Sequence, residues 1–433
     1  MEYSIRISRA EFNGRTQRLL EHINEENLLG VVLFDSTNIL YFTGFAFIPT
    51  ERPIVFAMNA DGETAMFVPR LEVEHVQAET AVTHIAHYIE YPGKTHPMIQ
   101  FKELLDKLGM LPPVTTINTE REREGLISLL PPYLEAERKQ SLLPETKPRI
   151  GADRNGYPWI FGYEGPSLSE LTNLQIISVQ GAIHRQQMIK SDAELDLIRE
   201  SCKWAHLAHM LLQKYTAVNE TETAVTLRAS QEATLTMMDT IGPIYRAQSM
   251  WMSGPFAGYR GQIGRNAAIP HALANNIKFQ PGDVLVTGAN CPMWGYNSEL
   301  ERTMFVGEPS TEQQQMFAHM LALQQIAFAE MGPGVTCADV DRAVRHYYEK
   351  NKLLPYWKHH TGHAIGLKYH EGPYLDTGDD TIMLPGMVFT VEPGLYVPEL
   401  GGFRHSDTVA ITSDGIEIMT YYPRDWQSLV IPV

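Results

Sequence analysis

The segment His359–Pro373 reads HHTGHAIGLKYHEGP, so four histidines and a glutamate lie among three glycines within 15 residues. Glycines beside such side chains let the backbone approach a ligand closely, which loops around an active site require. Histidine titrates near neutral pH and is a common metal ligand. We therefore expect this segment to form part of a functional site.

Histidines and carboxylates recur in other separated segments of the C-terminal half. They are Pro270-His271 ahead of the turn Gly282-Asp283, Gly295–Thr303 (GYNSELERT), Val391–Gly394 (VEPG) and Gly401–Thr408 (GGFRHSDT). One short motif would be weak evidence, but dispersed motifs in a fixed order are far more specific.

This succession resembles the pita-bread family, which includes creatinase, aminopeptidase P, prolidase and methionine aminopeptidase. The resemblance covers nearly all of residues 180–433, and a weaker one extends to the N-terminal domain of the family. It implies an α/β (α+β) protein with two domains. We expect an N-terminal creatinase/prolidase-like α/β domain over residues 1–180 and a C-terminal pita-bread catalytic domain over residues 181–433.

The local sequence pattern agrees with two domains. A chain of 433 residues is long enough for two or three. The apolar runs Ile54–Met58 and Ala65–Val68 predict strands, and Pro97–Leu108 predicts a helix, an alternation typical of a mixed α/β sheet. Capping-box spacing at Ser191–Glu194 and at Ser310–Gln313 predicts two helix starts in the second half.

Composition excludes several classes of protein. The net charge of −16 would repel a phosphate backbone, so we expect no nucleic-acid partner. Cys202, Cys291 and Cys337 are too few and too scattered for a disulfide framework or a four-thiolate zinc site. No apolar run approaches the roughly 20 residues that cross a bilayer, so we expect no membrane span and a cytoplasmic location.

The resemblance also implies where metal ligands would lie. Peptidases of the family bind two metal ions through two Asp, one His and two Glu. These positions correspond here to Gly288, Glu299, His363, Glu392 and Ser406, so two of the five have lost their ligand. Bridging carboxylates neutralise paired cations, and neither Gly nor Ser supplies one. We therefore expect no cofactor, although the remaining His and two Glu would suffice for a single weakly bound divalent metal.

The same departure resembles creatinase, which works without metal. The spacing of His271 from the Gly-Asp turn matches the catalytic histidine of creatinase, and we expect Glu299, His363 and Glu392 to complete the catalytic set. Arg52 matches the arginine that holds the substrate carboxylate across the creatinase dimer. Without a metal, the two glutamates would favour a cationic group.

Two further residues follow from these patterns. His370, followed by Glu371, matches the substrate-contacting histidine of the family's peptidases, so we expect it to bind substrate. Glu301 lies in an acidic run beside Glu299, and we interpret it as part of a solvated strand face.

The leading expectation is a homodimeric, metal-independent, creatinase-like hydrolase that cleaves a C–N bond of a small cationic, carboxylate-bearing compound. Arg52 would be contributed across the dimer interface to this zwitterionic small-molecule substrate. One alternative is a metallopeptidase of the Xaa-Pro dipeptidase or aminopeptidase P type with an altered metal site, which the sequence His370–Pro373 favours. The others are a non-hydrolytic lyase that acts on a small zwitterion and a catalytically inactive binding module.

Overall fold

The computed structural model describes residues 6–112, 148–158, 162–242, 244–245 and 254–433. The chain divides into two compact units between Ile183 and His184, and the second unit also includes Arg6 and Ile7. The sequence places the domain boundary near residue 180.

The N-terminal unit is built on a mixed sheet, which confirms the predicted α/β class. Among the described residues its strand order is β4-β3-β2-β1-β5-β6. Strands β1 to β3 pair antiparallel, whereas β4, β5 and β6 each join their neighbour in parallel. The strands are β1 (Gly30–Leu33), β2 (Val55–Asn59), β3 (Thr64–Pro69), β4 (His84–Tyr88), β5 (Arg149–Ala152) and β6 (Gln175–Ser178).

All but one of the described helices of this unit begin where a side chain caps free backbone N–H groups. Asp35 accepts bonds from the first turn of one helix, and His96 caps the helix that the sequence predicted from Pro97. The helices are α1 (Arg9–Glu25), α2 (Ser36–Thr43), α3 (Val73–Glu79), α4 (Pro97–Lys107) and α5 (Leu168–Thr172).

Both capping boxes predicted for the C-terminal unit are present. The Ser191 hydroxyl accepts from the N–H of Glu194, and the Ser310 hydroxyl accepts from the N–H of Gln313. The helices that follow are long and bury one side against the strands. These helices are α7 (Asp192–Tyr215), α8 (Glu222–Ile241), α9 (Thr311–Glu330) and α10 (Cys337–Lys350), and they are preceded by the shorter α6 (Gln180–Met188), which contains the point where the chain divides into its two units.

The strands of the C-terminal unit form several small sheets. The largest has the antiparallel order β12-β11-β13-β16-β17, and β18-β10-β8, β14-β15 and β7-β9 form the others. The strands are β7 (Phe256–Gly258), β8 (Val284–Val286), β9 (Gly288–Asn290), β10 (Thr303–Val306), β11 (Gly362–Ala364), β12 (Glu371–Leu375), β13 (Val388–Val391), β14 (Gly394–Val397), β15 (Gly401–Arg404), β16 (Asp407–Ile411), β17 (Ile416–Ile418) and β18 (Val430–Ile431).

The core of this unit lies between the helices and these sheets. Phe305, Phe317 and Phe389 are among its buried side chains, from β10, α9 and β13 respectively. The three cysteines are free thiols buried in the structure, as expected from their scatter. Within the described ranges, no helix has the length and apolar character to cross a membrane.

Candidate metal centre

Three of the predicted site residues converge from separate parts of the C-terminal sheets. Glu299 lies in the extended segment before β10, where its N–H donates to the Thr408 hydroxyl at 2.8 Å. His363 is the middle residue of β11, and Glu392 follows β13 directly. One ligand atom from each of Glu299, His363 and Glu392 lies within 4.8 Å of the others.

The hydrogen bonding of His363 fixes its tautomer. Its Nδ1 lies 2.9 Å from the carbonyl oxygen of Ala364. A carbonyl oxygen only accepts, so Nδ1 donates this bond, and in the neutral form of the ring Nε2 then presents a lone pair. Nε2 is buried without a hydrogen-bond partner among the described residues, and it lies 3.4 Å from Oε1 of Glu392.

The Glu299 carboxylate lies close enough to Glu392 to oppose the ionisation of Glu392. Burial and the neighbouring Glu299 carboxylate raise the pKa of Glu392 well above its ordinary value, against the opposing effect of Arg404. Glu299 is held by the Ser406 hydroxyl, which donates to its Oε1 at 2.6 Å, and by a hydrogen bond with Tyr369.

A divalent cation fits this arrangement. A buried lone pair that faces a carboxylate oxygen is unfavourable until a positive charge lies between them. Metal-bound histidines commonly donate their other ring N–H to a backbone carbonyl, as His363 does to Ala364. One imidazole and two carboxylates also match the ligand types of a three-ligand catalytic site. Glu299, His363 and Glu392 would therefore hold the ion.

A second buried cluster lies beside the first. Glu301 is 3% exposed, and its Oε1 accepts from Arg404 at 2.8 Å and from Arg260 at 3.0 Å. Its Oε2 accepts from Nε of Arg404. Burial would raise the pKa of Glu301, but Arg404 and Arg260 hold it below its ordinary value. The interpretation of Glu301 as part of a solvated face is therefore wrong.

This cluster extends to Glu392 and into the protein. Nε of Arg404 lies 3.7 Å from Oε2 of Glu392, and its Nη1 donates to the Tyr396 hydroxyl at 2.8 Å. Nδ1 of His359 donates to a carbonyl, so Nε2 accepts from Tyr396 at 2.7 Å. Burial and Arg404 lower the pKa of His359 to about 4, so this histidine is neutral at pH 7.

These arginines correct the expectation of a purely negative pocket. The sequence predicted that uncompensated Glu299 and Glu392 would attract a cationic substrate. The fixed guanidinium groups of Arg260 and Arg404 offset much of that negative charge. Three carboxylates, including Glu301, against two guanidinium groups leave one negative charge, so the expectation of a cationic, carboxylate-bearing substrate stays a prediction.

Both clusters open into one cavity of about 360 Å³. His271 and His370 line it together with Glu299 and Glu392, and both histidines are exposed. The His370 ring stacks on His363 with 3.7 Å between ring centroids. Burial and then His363 lower the pKa of His370 to about 4, so His370 is neutral at pH 7. The structure thus brings together five of the six predicted site residues.

The sixth, Arg52, lies in the N-terminal unit. Its guanidinium pairs with Glu51 at 2.5 Å and with Glu90 at 2.9 Å. The hydrogen bond that Arg52 donates to Glu90 raises the pKa of Arg52, so the side chain stays charged. Its role toward a substrate carboxylate, and its contribution across a dimer interface, stay predictions.

Sequence reasoning missed Glu301, Arg404 and Tyr396 as parts of the site. The sequence did carry a signal for Glu301. Residues two apart on an extended strand share a face, and Glu301 follows Glu299 by two. The same period relates Arg404 to Ser406. The ion pair between Glu301 and Arg404 joins residues more than 100 positions apart, and sequence spacing does not predict such a contact.

Known proteins resemble the chain over nearly its whole length. It is 25% identical over 415 residues to the Xaa-Pro dipeptidase of Pyrococcus horikoshii, which covers 95% of this chain and 98% of that protein. Dipeptidase PepE from Mycobacterium ulcerans superposes with a TM-score of 0.77 at 22% identity, over 99% of this chain and 100% of that one. Prolidase from Pyrococcus horikoshii OT3 superposes with a TM-score of 0.73 at 21% identity, over 95% of this chain and 99% of that one.

Family models match both parts of the chain. The creatinase/prolidase N-terminal domain matches residues 15–123, and metallopeptidase family M24 matches residues 196–413. The leading expectation of a metal-independent, creatinase-like hydrolase is therefore wrong, because the catalytic half matches metallopeptidases and the full-length relatives are dipeptidases.

The expectation of no cofactor is wrong for the same reason. The loss of ligands at Gly288 and Ser406 leaves Glu299, His363 and Glu392, which still fit a cation. The broader expectation of a hydrolase that acts on C–N bonds agrees with a peptidase family, because the peptide bond is a C–N bond.

The family model spans half of the chain and includes every residue of the three-ligand cluster. The solved structures share the two-part fold, and the order of the motifs agrees with the resemblance to the pita-bread family. The chain belongs to metallopeptidase family M24.

Proposed function

We propose that this protein is a metal-dependent peptidase of the Xaa-Pro dipeptidase type with an altered metal site. The observation that carries the proposal is the buried Nε2 of His363, which has no hydrogen-bond partner among the described residues and faces Glu392 at 3.4 Å beside Glu299. The specificity follows the names of the relatives, which are Xaa-Pro dipeptidases and prolidases along their full lengths.

A divalent ion, when bound, would polarise the scissile carbonyl and lower the pKa of a water molecule. The side chains of this chain prepare the site for it. His363 is fixed by its bond to Ala364, and Glu299 is oriented by Ser406 and Tyr369. These outer contacts keep the ligand atoms converged, which saves reorganisation during the reaction.

The exposed histidines of the cavity are placed to contact the substrate. His370 is neutral at pH 7, so its ring both donates and accepts hydrogen bonds. His271 lines the same cavity and is a candidate to give a proton to the leaving nitrogen. An Xaa-Pro dipeptide is itself a small zwitterion, and a cavity of about 360 Å³ lies within the usual size of small-ligand sites.

The test is turnover of dipeptides by protein stripped of metal with a chelator. Xaa-Pro dipeptides and the matched Xaa-Ala dipeptides are assayed before and after addition of Mn²⁺ or Co²⁺. We expect hydrolysis of the Xaa-Pro series only with added metal. Full activity after stripping, or equal rates on both series, would overturn the proposal.

A pair of histidine variants provides the matched control. His363→Ala removes the imidazole ligand, and we expect it to abolish metal-dependent turnover. His346→Ala removes an exposed histidine from α10, and we expect it to keep the parental rate. Comparable loss in both variants would indicate a general effect on folding and not a ligand role for His363.

A further inference from the structure

We infer that the guanidinium of Arg404, fixed by Glu301, takes the place of a second metal ion, so that the centre binds one divalent cation. This inference rests on the proposed function in one respect, because it assumes a metal at Glu299, His363 and Glu392. It goes further by assigning the neighbouring position to a side chain of the protein itself.

Space beside Gly288 supports this assignment. In the resemblance to the family's peptidases, Gly288 occupies the position of the first aspartate ligand. A Cβ atom built on Gly288 would meet Oε1 of Glu301 at 3.5 Å, which is ordinary van der Waals contact. The carboxylate of Glu301 therefore lies over the position where a side chain at 288 would begin, and it faces the two arginines.

Arg404 is fixed in place more firmly than a surface arginine. Its side chain is buried, forms two hydrogen bonds with Glu301 and donates a third to Tyr396. A guanidinium does not lose its proton in proteins, so the charge is permanent. Displacing this group to admit a second ion would leave Glu301 buried without its closest counter-ion, which is strongly unfavourable.

Glu392 lies between the two cationic positions. Its Oε1 faces Nε2 of His363 at 3.4 Å, and its Oε2 lies 3.7 Å from Nε of Arg404. Here one oxygen faces the metal ligands and the other faces the guanidinium.

The charges of the two buried clusters agree with one ion. With metal bound, the carboxylates of Glu299, Glu301 and Glu392 would carry three negative charges, and the guanidinium groups of Arg260 and Arg404, which lie within 4 Å of these carboxylates, offset two of them. One divalent cation then leaves a single positive charge, whereas two would leave three. The remaining ligand positions at 288 and 406 are Gly and Ser, which supply no further negative charge.

The first experiment is metal binding without turnover. Chelator-stripped protein is dialysed against graded Mn²⁺, and bound manganese per chain is measured by atomic spectroscopy. We expect saturation at one ion per chain. Two ions would overturn the inference and leave the proposed function standing, whereas no tight binding would overturn both.

The second experiment tests Arg404 directly, through the affinity for Mn²⁺ measured by calorimetry. Arg404→Met removes a positive charge from beside Glu392, so we expect the first ion to bind tighter by about tenfold or more. Arg404→Lys keeps the charge, and we expect an affinity close to that of the parent.

Lys358→Met is the matched control, since it removes one exposed positive charge from the same cavity. We expect its effect to be less than about threefold, because solvent screens exposed charges. Unchanged or weaker Mn²⁺ binding in folded Arg404→Met would overturn the inference. If that variant does not fold, the binding stoichiometry of the parent protein still decides the question.

Discussion

The ion pair between Arg302 and Asp407 offers the sharpest prediction about stability. Both side chains are fully buried, and Nη2 of Arg302 donates to Oδ1 of Asp407 at 2.7 Å. The same guanidinium donates to the carbonyl oxygens of Glu301 at 2.7 Å and Ser406 at 3.0 Å. Arg302 therefore joins the two backbone segments that carry Glu299 and Ser406.

Replacing Arg302 with methionine removes this charge and leaves Asp407 buried. The aspartate would keep its bonds from Thr420 and Gln324 but lose its closest ion-pair partner, and the nearest remaining cation, Arg424, lies 3.9 Å away. Breaking a buried pair in this way costs about 3–5 kcal/mol. We expect urea unfolding to show that the free energy of unfolding of Arg302→Met is lower than that of the parent by this amount. The double variant Arg302→Met/Asp407→Leu should recover part of it, because no isolated charge remains.

The pH dependence follows from the same pair. Burial would raise the pKa of Asp407, but Arg302 and Thr420 hold it below its ordinary value. A carboxyl whose pKa is lowered on folding adds stability above its unfolded pKa of about 3.9, and that stability is lost as pH falls through the folded pKa. The difference between the parent and Arg302→Met should therefore narrow below about pH 4.

An exposed pair of the same type is the control. Arg342 and Asp339 pair at 2.6 Å on the surface of α10, with about half of each side chain exposed. Arg342→Met should change the free energy of unfolding by about 0.5 kcal/mol or less. If Arg302→Met lowers the free energy of unfolding by less than about 1 kcal/mol, the cost expected for breaking the buried pair is wrong.

Three predictions concern the metal centre. Ser406→Ala removes the 2.6 Å bond to Glu299, and calorimetry should show Mn²⁺ affinity about tenfold lower; unchanged affinity would contradict the orienting role. Burial and Glu299 raise the pKa of Glu392, so a proton and the metal compete for its carboxylate. Calorimetry in two buffers should then show proton release, and affinity should rise with pH; no release would contradict this. Mn²⁺ at 100 times its Kd should raise the free energy of unfolding of the parent protein by about 2.7 kcal/mol, and in Glu392→Gln most of this increase should be absent.

Local sequence features predicted much of the fold because their causes are local. The side chain at a helix start accepts from the free N–H group three residues later, so Ser191 and Ser310 predicted the starts of their helices correctly. The strand predicted at Ala65–Val68 lies inside β3 because a continuous apolar run must be buried. Motif order likewise placed His271, Glu299, His363, His370 and Glu392 in one site.

The chemistry of the site depended on contacts that sequence does not show. Gly288 and Ser406 lack the ligands that the family's peptidases have at these positions, and this predicted that the metal site was lost. That prediction took each position without its neighbours in the fold. In the structure, Ser406 supports Glu299, and the carboxylate of Glu301, paired with Arg404, lies beside Gly288. A change in the distribution of charge therefore resembled the loss of the whole metal site, because the compensating arginine comes from a distant strand.

A crystal of the protein grown with Mn²⁺ would show directly, by anomalous scattering at the manganese edge, whether the centre binds one divalent cation. We expect one peak, within coordination distance of Nε2 of His363 and of one oxygen each of Glu299 and Glu392. We expect no second peak beside Glu301 and Arg404. A cavity without a manganese peak, or a pair of peaks with Arg404 displaced, would contradict this expectation.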